Sequence, residues 1–265
     1  MRKSALFFGT LIILLGAMLL AINLGVVTTA IWSFFWPAIL VLLGVWFIAG
    51  PYLLKGKVET VERSIPLENG TEAEITFNYG AGMLSVASTL RPQELVGGSF
   101  VGGISDEVNR TGGTVNVKLN TPSDMLFPGN WVYGHQGINW NVGLTKEIPL
   151  KLYFHTGACE AKLNLADLRV TELVVETGAS STEIQLPQNA GYTRVTIKSG
   201  AAAVKINVPQ GVAASIRESS GLSGINVDTS RFIQNGHTYQ SADYATASNK
   251  VDISYEGGVG SVDIK

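Results

Sequence analysis

Hydrophobic and polar residues follow two different patterns along the chain, and the change falls near residue 55. From Ser4 to Leu54 no residue is charged, a run long enough for two helices of roughly 20 residues that each cross a ~30 Å hydrocarbon core. After Lys57, short alternating segments are separated by Gly, Ser, Thr and Asn, which is typical of strands joined by turns. The pattern predicts a two-span transmembrane anchor over 1–54, a linker over 55–64 and an all-β domain over 65–265.

The apolar block divides into two predicted spans, Ala5–Val27 and Ala38–Leu54, which would place residues 5–54 in contact with a lipid bilayer. A cleaved signal peptide is the alternative, but a second apolar span follows the first directly. Basic residues flank the block on both sides and are missing from the connecting turn, which predicts that both chain ends are cytoplasmic. We therefore expect a multi-pass protein of the bacterial cell membrane with its β-domain in the cytoplasm.

Glycines mark a repeat in the β-domain. Four of them recur at intervals of 21, 22 and 21 residues, each ahead of an apolar–polar–apolar triplet: Gly157, Gly178, Gly200 and Gly221. A fixed period of this length is typical of a solenoid, because a propeller blade needs roughly 40 residues. The repeat predicts a single-chain β-solenoid with coils of 21–22 residues, and Phe77–Val86 and Ser254–Lys265 resemble weaker copies at its two ends.

One repeat, read from Leu163 to Val175, predicts three short strands per coil: Leu163–Leu165, Leu168–Val170 and Leu173–Val175. Each coil is expected to stack about 4.8 Å above the previous one, with the repeat glycines as corners that take positive φ. The middle residues of the triplets would form one outward polar column: Asn164, Gln185, Asn207, Asn226 and Asp263. That column could read a ligand, but an amide ladder or solvated strand surface is the interpretation we favour.

Charge and candidate chemistry exclude several function classes. The net charge is −2, with 19 basic and 21 acidic residues, so the clustered cations that nucleic acids require are missing. His155 and Cys159 are four residues apart and could be a metal half-site, yet they bracket a repeat corner, which favours a structural role. No complete phosphate-binding loop occurs, and the acidic residues are too scattered for a solenoid hydrolase. We expect no enzymatic activity, no catalytic residues, no cofactor and no metal.

Aromatic residues gather in one unrepeated segment rich in Gly and Pro, from Thr121 to Leu152. Phe127, Trp131 and Tyr133 are candidates for a partner-binding patch, because exposed aromatic clusters are common in interfaces. Trp140 alternates with Val142 and Leu144 like a strand, so we expect it to pack in the core.

The N-terminal segments "GTLIILLGAMLLAINLG" and "FWPAILVLLGVWFI" resemble the transmembrane region of LiaI/LiaF-like bacterial envelope proteins. The segments "WNVGLTKEIPLKLYFHTGACEAKLNLADLRVTELVVETGASSTEIQLP" and "SGAAAVKINVPQGVAASI" are similar to the toastrack domain of LiaF-type, cell-wall-active antibiotic response proteins. This resemblance implies a non-enzymatic protein of the envelope-stress network, whose partners would be a membrane histidine kinase or other envelope proteins. LiaF-type regulators usually have more than two spans, a departure that weakens the kinase-inhibitor role.

Two functions follow as expectations. The first is an interaction or scaffold module in the bacterial cell-envelope stress response, based on the repeat and the missing active site. The alternative is an outward-facing domain that binds the cell wall or a polysaccharide through its polar columns and loop aromatics.

Overall fold

The structure is a computed structural model that describes residues 37, 40, 41, 44, 60–89, 91–122 and 138–265, with backbone alone at 220–223. The chain divides into two units, Met1–Lys55 and Gly56–Lys265. Thirteen strands are described, all in the second unit and all in one sheet. The predicted all-β class of this domain is confirmed.

The expected membrane location is not supported. Crossing a bilayer takes a helix of roughly 20 apolar residues, and in the part of the chain that the structure describes no helix is long and apolar enough to do so. Helical conformation is described only at Pro37, Leu40, Val41 and Gly44. The two predicted spans otherwise lie outside the described residues. The prediction of a multi-pass membrane protein with a cytoplasmic β-domain is therefore corrected, because the described residues contain no helix that could span a membrane.

Six long strands form the body of the domain, and seven shorter ones cover its two ends. The long strands are β2 (Glu72–Ser88), β7 (Leu150–Asn164), β8 (Val170–Gln185), β9 (Tyr192–Asn207), β10 (Ala213–Val227) and β13 (Lys250–Ile264). The short strands are β1 (Thr60–Pro66), β3 (Glu94–Val101), β4 (Ser105–Thr111), β5 (Thr114–Asn120), β6 (Asn139–Leu144), β11 (Phe232–Asn235) and β12 (Thr238–Ser241).

Each coil contains one long strand with two arms, where three short strands were predicted. In β7 the buried residues of the first arm are Leu150, Leu152 and Phe154, and those of the second are Cys159, Ala161 and Leu163. The alternation therefore shifts by one residue at Gly157, and the pairing between β7 and β8 is interrupted there. The repeat glycine lies in the middle of a strand, between its two arms.

The glycines are required by close contact between coils and not by positive φ, since Gly157, Gly178 and Gly200 do not have it. A Cβ on Gly157 would lie 2.3 Å from the carbonyl oxygen of Gly80. On Gly178 it would lie 3.0 Å from the Gly157 oxygen, on Gly200 3.1 Å from the Gly178 oxygen, and on Gly258 2.7 Å from the Gly200 oxygen. Together with Gly80 they form a glycine ladder of five residues, in which a side chain would clash at Gly157 and Gly258 and would be tight at Gly178 and Gly200. The prediction that the repeat glycines are corners with positive φ is therefore wrong for Gly157, Gly178 and Gly200.

The long strands are parallel and stack in the order β2, β7, β8, β9, β13, β10. The first four follow the chain, as the repeat predicted. The last two do not, because β13 lies between β9 and β10. The prediction that Ser254–Lys265 forms an end of the stack is therefore wrong.

Apolar residues from successive coils form continuous stacks inside the domain. Phe77 of β2 and Phe154 of β7 are in register, and their rings are stacked with centroids 4.5 Å apart at an angle of 9°. Val175 and Ile197 continue the same row on β8 and β9. All four side chains are buried, so the core is a set of rows that run across the strands.

Different short strands cover the two ends. At the N-terminal end, the first arm of β2 pairs with β5, which pairs with β4, and the second arm pairs with β6, followed by β3 and β1. At the other end the antiparallel hairpin β11–β12 pairs with the first arm of β10. This hairpin lies between β10 and β13 in the sequence, where the 21–22-residue repeat is interrupted.

Candidate functional site

A groove of about 810 Å³ runs across five neighbouring strands where their two arms meet. Its lining residues occupy equivalent positions beside the glycine ladder on β7, β8, β9, β13 and β10, namely His155, Thr156, Glu176, Thr177, Lys198, Ser199, Gly200, Glu256, Gly257 and Ser219. Because strand pairing fixes the backbone, each coil contributes its side chains at a set spacing. We refer to this feature as the bend groove.

A row made of one histidine followed by carboxylate and ammonium side chains of alternating sign lines the bend groove. His155, Glu176, Lys198 and Glu256 are consecutive in register on β7, β8, β9 and β13. The Glu176 carboxylate lies between two of them, with Oε2 3.1 Å from His155 Nδ1 and Oε1 3.5 Å from Lys198 Nζ. These side chains are 43–51% exposed, so solvent screens the pairs and they contribute little to stability. They remain accessible to a ligand.

Hydroxyl groups form a second row in the bend groove. Thr156 Oγ1 donates to Thr177 Oγ1 at 2.9 Å, and Ser199 Oγ shares a hydrogen bond of 2.8 Å with the hydroxyl of Tyr255. A Cβ on Gly257 would lie 2.1 Å from that tyrosine oxygen. Gly257 therefore leaves room for the Tyr255 ring beside the groove.

His155 and Cys159 differ in environment and do not act as a pair. His155 is half-exposed in the bend groove, whereas Cys159 is buried. Burial raises the pKa of the Cys159 thiol, against a smaller lowering effect from its hydrogen bond with Thr156, which is the opposite of what a reactive thiolate requires. Within the described ranges, no three His, Cys, Asp or Glu side chains are grouped to hold a metal ion.

The aromatic residues divide between the core and the part of the chain that is not described. Phe127, Trp131 and Tyr133, the predicted partner-binding residues, lie outside the described residues. Trp140 is buried, its indole Nε1 donates to the Gly103 carbonyl oxygen at 3.2 Å, and its ring meets Phe100 edge-on at 5.2 Å. The predicted packing role of Trp140 is confirmed.

The structure divides the residues of the predicted polar column between two separate columns. Asn164, Gln185 and Asn207 are in register on β7, β8 and β9. Asn226 pairs with Asp263, and Asn226 Nδ2 donates to Asp263 Oδ1 at 3.0 Å. These two belong to a neighbouring column of alternating charge, which also contains Lys162, Glu183 and Lys205.

A buried carboxylate, Glu94, was missed by the sequence argument. It is 6% exposed and accepts hydrogen bonds from Ser64 Oγ at 2.6 Å and Thr89 Oγ1 at 2.8 Å, with Arg91 3.4 Å away. Burial alone would raise the pKa of Glu94, but these partners together lower it. Gly97 leaves the space, since a Cβ there would lie within 2.2–2.4 Å of the carboxylate atoms. A lone Glu in a short strand gives no periodic signal.

The bend groove was also missed, although its signal is present in the repeat. His155, Glu176 and Lys198 each stand two residues before a repeat glycine. Residues at one repeat offset must form one column, so the opposite charges of Glu176 and Lys198 at neighbouring positions were readable from the sequence. The groove lies where the two arms of each long strand meet. The sequence pattern did not predict strands with two arms, so it did not show that this column lines a groove.

The geometry defines a class of protein: an all-β stack of parallel, bent coils that is covered at both ends by shorter strands. The chain belongs to the toast_rack family, since the family model described as "N-terminal domain of toast_rack, DUF2154" matches residues 54–207, more than half of the chain. The match begins near the end of the segment that resembles LiaI/LiaF-like proteins. No curated protein matches the chain.

Two solved structures are similar. One is a Clostridium sporogenes protein described as a "putative cell adhesion protein", with 21% identity, a TM-score of 0.72, and coverage of 79% of this chain and 99% of that one. The other is a "putative adhesin" of Bacteroides fragilis, with 9% identity, a TM-score of 0.32, and coverage of 80% and 99%. At this identity the first likeness shows a shared fold, and the second is too weak to support an argument.

Proposed function

We propose that this protein is a non-catalytic interaction module of the bacterial cell-envelope stress response, and that the bend groove binds a partner protein of the envelope. The observation that carries the proposal is the accessible, alternating charge column held on a rigid sheet. The resemblance to LiaF-type proteins supports the cellular context and suggests a sensor histidine kinase or another envelope protein as the partner.

The charge pattern of the groove suits recognition of another protein. Side chains on paired strands are held more firmly than those on loops, and alternating signs select a partner with the complementary order of charges. The groove residues are half-exposed and paired with one another, whereas catalytic groups are commonly desolvated. These features support binding over chemistry.

The test exchanges the charges of one ion pair in the groove and of a matched pair outside it. In the groove variant, Glu176→Lys and Lys198→Glu are combined. In the control, Glu183→Lys and Lys205→Glu are combined, because that pair joins the same two strands with 2.9 Å between Lys205 Nζ and Glu183 Oε1. Both variants keep the ion pair between β8 and β9, but each places its new glutamate beside an acidic residue of β13, Glu256 or Asp263, so any loss of stability should be similar in the two.

Each full-length variant would replace the wild-type protein in its own cells, followed by in-cell cross-linking and measurement of the response to a wall-active antibiotic. We expect the groove variant to lose the cross-linked partner and to change the response, while the control behaves like the wild type. Equal behaviour of the groove variant, the control and the wild type would exclude the proposed role.

A second candidate function, binding of a cell-wall polysaccharide, is favoured by the partly exposed hydroxyl groups of Thr156 and Ser199. Hydroxyl groups and carboxylates side by side can exchange hydrogen bonds with sugar hydroxyls. Co-sedimentation of the full-length protein with isolated cell walls tests this function. Sedimentation that is lost in the groove variant and kept in the control would favour it over a protein partner.

A further inference from the structure

The last strand of the chain occupies a slot between two strands that precede it in the sequence. β13 pairs in parallel with β9 on one side and with β10 on the other, along almost its whole length. The repeat spacing would equally allow β10 to stack on β9 directly, as β8 stacks on β7. Something beyond the repeat therefore selects β13 for this slot.

Charge complementarity contributes to the selection. Three cations of β9 each have an acidic neighbour in register on β13: Arg194 with Asp252, Lys198 with Glu256, and Lys205 with Asp263. The residues at the same three positions on β10 are Ser215, Ser219 and Asn226. Direct stacking of β10 on β9 would leave the three cations opposite neutral side chains, so the slot is specific for the sequence of β13.

Core packing strengthens this specificity. The slot buries five apolar side chains of β13, each about 1% exposed: Val251, Ile253, Tyr255, Val262 and Ile264. The hydroxyl of Tyr255 also reaches Ser199 of β9. The slot therefore recognises the whole of β13 through core, hydroxyl and charge contacts.

The connection that leads to β13 contributes no residue to the core. It comprises residues 242–249, between β12 and β13, and none of them is buried. Its internal bonds are those of turns, from the amides of Thr246 and Ala247 to the Asp243 carbonyl oxygen at 3.0 and 2.9 Å. Tyr244 additionally donates a hydrogen bond to Asp252. Asn249 also accepts hydrogen bonds from the amides of Ala213 and Gly191, both at 3.0 Å. Opening this hinge breaks these contacts together with those of β13 in its slot, and the same segment of another copy can make them again.

We propose that the slot between β9 and β10 also accepts β13 of a second copy of this chain, so that two copies join by exchanging their last strands. An exchanged terminal element recovers the contacts it makes within one copy. Glu256 and Gly257 of β13 line the bend groove, so each groove of the exchanged dimer contains residues of both copies. The proposal is independent of the function proposed for the groove.

The test asks whether β9 of one copy lies beside β13 of another. Thr196 of β9 and Ser254 of β13 are partners in register. One full-length variant carries Thr196→Cys with one tag, and a second carries Ser254→Cys with another tag. They are unfolded together, refolded at high concentration and oxidised.

Two controls accompany this mixture. A single chain with both substitutions verifies that a disulfide can form between the two positions within one copy. A mixture of the Thr196→Cys variant with a Ser105→Cys variant on exposed β4 measures collisional disulfides and any reaction of Cys159.

We expect a mixed disulfide dimer at several times the level of the control mixture. A level equal to that of the control would overturn the proposal.

Deletion of residues 243–248 provides a second measurement. β12 and β13 lie on opposite sides of β10, about 10 Å apart at two strand spacings, and the two remaining hinge residues reach only about 11 Å. They cannot pass around the end of β10, so this variant should be a dimer by light scattering. A folded monomer would contradict strand exchange, and if circular dichroism shows that the variant is unfolded, the cross-linking experiment decides.

Discussion

Tyr255 of the last strand shares a hydrogen bond with Ser199 of β9, with 2.8 Å between their hydroxyl oxygens. The two residues are far apart in the sequence, and β10 lies between them along the chain. Their contact fixes β13 against β9 beside the bend groove. It links the unexpected strand order to the site, because both β13 and β9 contribute to the groove lining.

The glycine ladder predicts a graded cost of adding a methyl group. Gly157→Ala should destabilise the protein by about 1–3 kcal/mol, the usual cost of overpacking, because its Cβ would lie 2.3 Å from a backbone oxygen. Gly178→Ala should cost less, since its nearest contact would be 3.0 Å. Denaturant unfolding measures both. Gly224→Ala is the control, as nothing lies within 4 Å of its Cβ, and an equal loss there would contradict the ladder.

The buried Glu94 predicts a pH-dependent contribution to stability. Its pKa is lowered from the ordinary value of 4.5, so the stabilisation is fully present above about pH 4.5 and is lost as the pH falls through the lower pKa of the folded protein. Glu94→Gln should cost about 1.5–3 kcal/mol at pH 7, as expected for hydrogen bonds to a charged group.

The free energy of unfolding, measured from pH 7 to pH 3, tests this prediction. The difference between the wild type and Glu94→Gln should shrink towards low pH. A difference that stays constant over this range would show that the carboxylate charge is not the stabilising feature.

The single cysteine should be unreactive in the folded protein. Cys159 is 7% exposed, and burial raises the pKa of its thiol, so little thiolate is present and reagents cannot reach it. We expect a thiol-specific reagent at pH 8 to modify the native protein at least about 10-fold more slowly than the denatured protein. Equal rates would mean that the second arm of β7 opens readily.

The charge column predicts coupling between β9 and β13. Lys205→Glu would place three acidic residues in successive register positions, with Glu183 and Asp263 on either side. It should lower the melting temperature, and adding Asp263→Lys should recover part of the loss, because neighbouring like charges become opposite ones. A double-mutant cycle measures the coupling, which should weaken in high salt. Simple additivity of the two substitutions would contradict a role for charge in placing β13.

Much of the fold could be predicted from local pattern. Inward positions such as Leu152, Leu173 and Val195 must remain apolar in every coil, and this constraint is visible as alternation along the chain. The same regularity predicted the register of β7, β8 and β9, because equal repeats stack with equal offsets. Trp140 was assigned to the core for the same reason.

Several features could not be predicted, because they depend on residues that meet only after folding. Gly157 and Gly178 look like turn residues in the sequence, but the constraint on each is a carbonyl oxygen of the neighbouring coil. Glu94 is surrounded by Ser64 and Thr89, which local periodicity does not connect to it.

Alternation and a fixed period are properties of each segment alone, so they were enough to predict an all-β domain of repeating coils. Only the tertiary structure decided the bend, the groove and the position of β13 between β9 and β10. These depend on competition between strands of similar pattern, and that competition is decided by contacts between residues far apart in the sequence, such as the hydrogen bond between Ser199 and Tyr255.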